Sequence, residues 1–295
     1  MRISETPSLL VRRCLLAPAL GLLLGLIASS PVHAGSFSPE DASGLELIRF
    51  LDHEKWKYRL EALEEIEERK LMQAIDKVVE MAKVDMHPKV RLEALEVLEE
   101  MDSSWLVPTA EHMVVADPVE DNRDEALEVI EDKGGGARST MVLGEVIAQD
   151  KSSDMRESAA ELIREKQWKG AEEQLARAAL RDGDAGVRRE CRRALAVLGG
   201  DKYRPVLHRI LLDEPNKKYR LEVAELIEDN PLPVDSSALL DSLDDPYSKI
   251  AKTAAKSLVK LGDKSVAPIL REKALETTDR GLAEEFSEAA SLLDG

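Results

Sequence analysis

The chain repeats itself, and that constrains its fold more than any other feature. One basic residue recurs as Arg59, Arg91, Arg123, Arg156, Arg188, Arg220 and Lys252, at spacings of 32, 32, 33, 32, 32 and 32 residues. Three residues after each anchor stand Ala62, Ala94, Ala126, Ala159, Cys191, Val223 and Ala255. Seven residues after it stand Ile66, Leu98, Ile130, Ile163, Leu195, Ile227 and Val259. Apolar positions at i+3 and i+7 mark one face of a helix. The small residue at i+3 lets a neighbouring helix approach closely. A single unit of this size cannot bury its own apolar face, so the units must stack.

Each unit carries a second helix. Turn residues follow the first one: Gly134-Gly135-Gly136, Gly199-Gly200, Asn230-Pro231 and Gly262-Asp263. A second apolar-periodic stretch comes next, with Pro108, Pro205 and Pro268 expected in its first turn, where a missing N–H costs nothing. That helix is expected to end at Asp85, Asp117, Asp150, Asp182 or Asp213. No stretch combines period-2 alternation with β-branched residues, so no strand is expected. The expected fold is all-α: a right-handed α-solenoid of about seven helix pairs, capped by half-repeat helices at 44–51 and 281–293.

These residues resemble the HEAT repeat in its short bacterial form, D-x-x-P-x-V-R-x-x-A-x-x-x-L. Asp85-Met86-His87-Pro88-Lys89-Val90-Arg91-Leu92-Glu93-Ala94 matches it position for position. The resemblance covers about residues 52–276 and implies an Asp–Arg ladder that ties adjacent units together. The matching pairs are Asp85/Arg91, Asp117/Arg123, Asp150/Arg156 and Asp182/Arg188. Asp52/Arg59 and Asp213/Arg220 carry one extra residue. In the last unit Asp245 faces Lys252, which lacks the planar fork for bidentate pairing, so the ladder is expected to be looser there. Recurrence once per repeat makes these charged residues structural, not catalytic.

The N-terminus reads differently. Arg2, Arg12 and Arg13 precede an apolar run from Cys14 to Ser30, and Val32-His33-Ala34 places small residues before Gly35. This is the layout of a secretory signal peptide, so residues 1–34 are expected to be removed on export to the periplasm or beyond. Retention of the segment as a membrane anchor is the rival reading. Residues 35–43 read as a flexible leader and 44–295 as a single repeat domain. One cysteine, Cys191, then remains, which excludes an internal disulfide. It falls at the small-residue position of its repeat and reads as a buried hydrophobe. The whole chain has 58 acidic and 41 basic residues, a net charge of −17. That balance argues against nucleic-acid binding and against strong membrane association of the mature chain.

No phosphate loop, nucleophile elbow or cofactor motif stands out, so neither catalytic residues nor a cofactor or metal is expected. The histidines of the repeats, His53, His87, His112 and His208, occupy different repeat positions and read as polar surface residues. Deoxyhypusine hydroxylases are HEAT-like solenoids that use several His-Glu dipeptides at equivalent positions; here His53-Glu54 stands without a counterpart. The repeats also resemble those of phycobilin lyases, a role poorly matched to export. Trp56, Trp105 and Trp168 read as packing residues between layers. Glutamates on the first helices, Glu64, Glu67, Glu96 and Glu128 among them, read as a solvated face.

One row across the second helices is polar throughout: Glu80, His112, Glu145, Arg177, Arg209, Asp241 and Glu272. The residues two before are Val78, Ala110, Leu143, Leu175, Leu207, Leu239 and Leu270. The contrast puts the row on the open surface. The expected function is a non-enzymatic scaffold that binds another protein or peptide on its concave face, with His112, Glu145, Arg177, Arg209 and Asp241 as the candidate contacts.

Overall fold

The computed structural model describes residues 38–295, so the expected signal segment lies outside the described residues. Sixteen α-helices and five short 3-10 turns make up the described chain. The first helices of the units are α2 (Trp56–Glu68), α4 (Pro88–Glu100), α6 (Glu120–Lys133), α8 (Ser153–Glu165), α10 (Ala185–Leu198), α12 (Lys217–Asp229) and α14 (Ser248–Leu261). Their second helices are α3 (Ile75–Val84), α5 (Leu106–Ala116), α7 (Gly136–Gln149), α9 (Glu172–Arg181), α11 (Gly200–Asp213), α13 (Ser236–Asp241) and α15 (Ala267–Glu276). Helices α1 (Gly44–Phe50) and α16 (Arg280–Asp294) close the ends. The result is an all-α solenoid of seven pairs between two caps. No described helix is long and apolar enough to cross a membrane.

The repeat pattern sets the core. Ala62, Ala94, Ala126, Ala159, Cys191, Val223 and Ala255 are all fully buried. So are the i+7 residues from Ile66 to Ile227, while Val259 stays half-buried beside the C-terminal cap. The core is aliphatic, and Phe286 of α16 is its one large aromatic anchor among the described residues. Burial pushes the Cys191 thiol up to about 12, so it behaves as an inert small hydrophobe.

One local expectation needs correction. Pro205 lies inside α11, not in its first turn. The joint at Gly199-Gly200 is so tight that α11 starts directly after α10: Gly200 takes φ +50, and a Cβ on Gly199 would meet the Leu195 carbonyl at 2.7 Å. Part of the leader touches the repeat domain. Arg69 donates to the carbonyls of Pro39, Glu40 and Ala42, and Ser43 with Glu46 forms a capping box on α1.

Candidate functional site: the second helices and the ladder beneath them

The ladder is offset by one unit from the expected pairs. Each arginine sits in the first turn of a first helix, and its fork meets the aspartate of the following unit. Arg59 donates to Asp85, Arg91 to Asp117, Arg123 to Asp150, Arg156 to Asp182 and Arg220 to Asp245, each through Nε and Nη2 to both carboxylate oxygens. The expected pairs Asp85/Arg91, Asp117/Arg123, Asp150/Arg156 and Asp182/Arg188 touch only through the aspartate's backbone carbonyl, which accepts from Arg Nη1. Arg123 therefore answers Asp150, not the Asp117 or Asp85 carboxylate.

Each rung aspartate also accepts a backbone N–H two residues on, as Asp117 does from Val119 at 2.9 Å. One short carboxylate thus closes a helix C-terminus, makes an Asx turn and holds the preceding unit. These bonds hold the Asp117 and Asp182 carboxyls below the usual aspartate range although burial opposes them.

The extra residue expected before Arg59 and Arg220 disappears. His53 stands at the rung position ahead of Arg59: its carbonyl accepts from Arg59 and its Nδ1 accepts the Lys55 N–H. Glu214 does the same ahead of Arg220, so Glu214, not Asp213, is the rung residue there. Among the described residues Glu214 forms no ion pair with Arg188, which instead gives Nη1 to three backbone carbonyls. In the last unit Asp245 is held by Arg220, Lys252 lies beside Gly281 and the Asp279 carboxylate, and Thr277 stands at the rung position, its hydroxyl accepting the Asp279 N–H at 3.2 Å. Both halves of that final rung are replaced.

The open row lies as its pattern requires. Glu80, His112, Glu145, Arg177, Arg209, Asp241 and Glu272 are all exposed, and the residues two before them are fully buried. Desolvation lowers the His112 pKa, reinforced by nearby Lys83. Arg177 is tied to Glu173 across one helical turn, while Arg209 forms no ion pair among the described residues. Sequence reasoning missed Arg181. It lies one turn after Arg177 on α9, also exposed and without an ion pair among the described residues, and it lines grooves on both sides of that helix. The i,i+4 spacing was the available signal.

The other histidines are less free than expected. His87 stacks on Trp56 with ring centroids 3.9 Å apart, His53 packs edge-on against Tyr58, and His208 bonds the buried Asp235 at 2.6 Å. Trp105 remains half-exposed at the α4–α5 turn. No three His, Cys, Asp or Glu side chains converge as a metal site among the described residues.

The first helices carry an uneven charge. Around α4, burial together with Glu96, Glu64 and Glu67 pushes the Glu93 carboxyl up to about 7. Desolvation first, then acidic neighbours, also raises Glu67 and Glu125. Toward the C-terminus the same face is balanced by pairs such as Lys249–Glu225 and Lys260–Glu228.

No curated protein matches the sequence significantly. Among solved structures the chain is similar to Escherichia coli YibA, at 20% identity over 87% of this chain and 94% of that one, with a TM-score of 0.46. It is similar to human deoxyhypusine hydroxylase, solved with glycerol, at 20% identity over 73% and 83%, with a TM-score of 0.37. The complex of CpcE and CpcF of phycocyanin lyase from Nostoc sp. PCC7120 aligns at 14% identity over 91% and 98%, with a TM-score of 0.28. The model of HEAT repeats matches residues 45–131 and 140–228, together more than half of the sequence. With that match and seven stacked helix pairs, the chain belongs to the HEAT-repeat family.

Proposed function

We propose that the chain is a non-enzymatic protein-interaction scaffold of the bacterial periplasm, presenting the exposed face of its second helices to a partner. The observation that carries this reading is the seven-member exposed row set over seven fully buried neighbours. A solenoid offers such a row as an extended surface, and the buried ladder beneath it keeps the units in register. Export rests on the basic, apolar and small-residue layout of residues 1–34.

Two measurements test the proposal. Mass analysis of the protein purified from its native cell envelope is expected to find a chain beginning at Gly35 in the soluble periplasmic fraction. An intact N-terminus in the membrane fraction would replace the reading with a tethered scaffold, and a cytoplasmic full-length chain would remove the export claim. A photocrosslinker placed at Leu212, on the exposed side of α11, is expected to give one discrete adduct in cells. Absence of any adduct there and at His112 would overturn the scaffold role.

A further inference from the structure

The grooves between neighbouring second helices differ in how their cations are satisfied. In the groove beside α3, Lys77 is closed by Asp52 at 2.8 Å and Glu80 at 3.1 Å. In the groove beside α15, Lys273 is closed by Asp244 at 2.7 Å and Glu276 at 3.5 Å. The two central grooves are unlike these. One, of about 320 Å³ between α7 and α9, has Ile147, Ala148 and Ala178 as apolar wall, with Arg177 and Arg181 at its edge. The other, of about 220 Å³ between α9 and α11, has Leu180, Ile210 and Pro215 as wall, with Arg181 and Arg209.

Their carboxylates are largely committed elsewhere. Asp182 is held by Arg156 and Glu214 accepts the Asn216 N–H, while Arg177 of the first groove is closed by Glu173, one turn earlier on α9. Among the described residues, Asp213 is the one lining carboxylate in these grooves with neither an ion pair nor a hydrogen bond. Two unpaired arginines therefore face one unpaired carboxylate, in a chain where acidic residues outnumber basic ones 58 to 41. Lys77 and Lys273 at the two ends are neutralised by nearby acids, as Arg177 is by Glu173, whereas among the described residues Arg181 and Arg209 are left open over an aliphatic wall.

We infer that these two tandem grooves, joined at Arg181, take an extended acidic segment of a partner protein. The inference rests on the scaffold reading and names the partner's chemistry. Its carboxylates meet Arg181 and Arg209, and its aliphatic side chains lie on the walls formed by Ala148, Ala178, Leu180 and Ile210. Packed helices stand roughly 10 Å apart, and a chain in the polyproline II form rises about 3.1 Å per residue and returns to the same face every third residue. Every third residue of the segment thus reaches the next helix, which fits carboxylates three residues apart with aliphatic residues between them.

The probe is a fluorescein-labelled peptide of three Glu-Val-Leu triplets, beside a Lys-Val-Leu control and a sulfated oligosaccharide of similar charge. Fluorescence anisotropy with the full mature protein is expected to show binding of the acidic peptide alone. The affinity is expected to fall about tenfold or more in R181A/R209A, as for close charge pairs at an interface, and to weaken with added salt. Both arginines are exposed, so the variant is expected to melt with the wild type; R209K with R181K, which keep the charge, are expected to recover part of the affinity. Equal binding by wild type and R181A/R209A, or no binding of the acidic peptide, overturns the inference. Oligosaccharide binding that is lost in the same variant overturns it in favour of an anionic glycan. The Leu212 crosslink separates the two levels: a discrete protein adduct with no acidic-peptide binding leaves the scaffold and removes the acidic segment. Loss of both removes both.

Discussion

The interface that α4 makes with its neighbours and the one between α10 and α12 are built from the same repeat but held differently. At the first, Asp117 takes the Arg91 fork at 2.6 and 2.7 Å, the Val119 N–H and an Asn122 amide, all within a nearly dry site. At the second, Glu214 stands in place of the aspartate and spends its carboxylate on the Asn216 N–H. Arg188 and Arg192 then turn to the Tyr219 ring, at 5.8 and 5.0 Å from its centroid. Arg192 lies 3.6 Å from Glu222, and its Nε and Nη1, with Glu222 Oε1, are buried without hydrogen-bond partners among the described residues. A ring face replaces part of the lost pairing, but buried polar atoms without partners cost free energy. One methylene separates the two arrangements: aspartate is short enough to close its own turn and face the preceding arginine together.

The largest expected effect breaks the strong interface. Asp117→Ala strands a buried guanidinium and frees the Val119 N–H, so it is expected to cost about 3–5 kcal/mol, the scale for removing one partner of a buried pair. Arg123→Ala strands Asp150 in the same way and belongs in the same range. Glu214→Ala is expected to cost under about 0.5 kcal/mol, because it removes one turn hydrogen bond and no rung. Urea unfolding of the three variants checks this; a Glu214 variant as damaging as Asp117→Ala would mean that the interface depends on Glu214 after all. Acid gives the same test without mutation. The Asp117 and Asp182 carboxyls are depressed in the fold, so their stabilisation is present above the unfolded aspartate value near 3.8 and is lost as pH falls below it.

The next effect sharpens the contrast. Glu214→Asp supplies the missing short carboxylate and is expected to stabilise the chain by about 1 kcal/mol. A double-mutant cycle with Arg188→Ala is the direct measurement: coupling near zero with Glu214, and about 1 kcal/mol or more with aspartate there. Zero coupling in both backgrounds would show that Tyr219, not the glutamate's length, decides where Arg188 points.

How legible this was depends on distance along the chain. The helix pairs, the buried small residues and the caps follow from a period of 32 residues, because burial of one helix face is a local pattern. The rung partners lie 25–27 residues apart, and the nearer aspartate six residues back invited the wrong pairing. Nothing in the sequence says that this nearer carboxylate is turned toward the preceding unit while its carbonyl stays with its own arginine. Arg181 escaped because the row took one residue from each helix, whereas a surface has the width of a full turn. The His87–Trp56 stack joins successive units and has no signature in either repeat alone.

A further contrast concerns the first helices. Glu93 sits among Glu64, Glu67 and Glu96 and is raised from 4.5 to about 7, whereas the C-terminal glutamates of this face have lysine partners. A raised carboxyl destabilises the fold once ionised: full stability is present below the unfolded value and is lost as pH rises through the folded one. Glu93→Gln is therefore expected to stabilise the chain at pH 8 by about 1–2 kcal/mol, discounted for the solvent that reaches the group. Most of that gain is expected to vanish at pH 5, where the folded wild type already holds the proton. Thermal unfolding at both pH values measures it, and a pH-independent gain would assign the effect to helix propensity instead of charge.

The smallest expected effect lies on the open row and marks the boundary between holding the fold and meeting a partner. Arg177 has the same residue type as Arg123 and lies in the same repeat array, yet its side chain is 74% exposed and its one ion partner, Glu173, is 66% exposed. Water already solvates both ions, and the pair also costs side-chain freedom to hold in place. Arg177→Ala is therefore expected to change stability by less than about 0.5 kcal/mol. Set beside Arg123→Ala in one series of urea curves, it asks whether an arginine's position in the repeat, and not its charge, decides what it does. Comparable losses for the two would mean that the row is buried against something in the folded chain and that its exposed assignment is wrong. An unchanged midpoint would leave Arg177 available to a partner at almost no cost to the fold, as a surface built on an independent ladder requires.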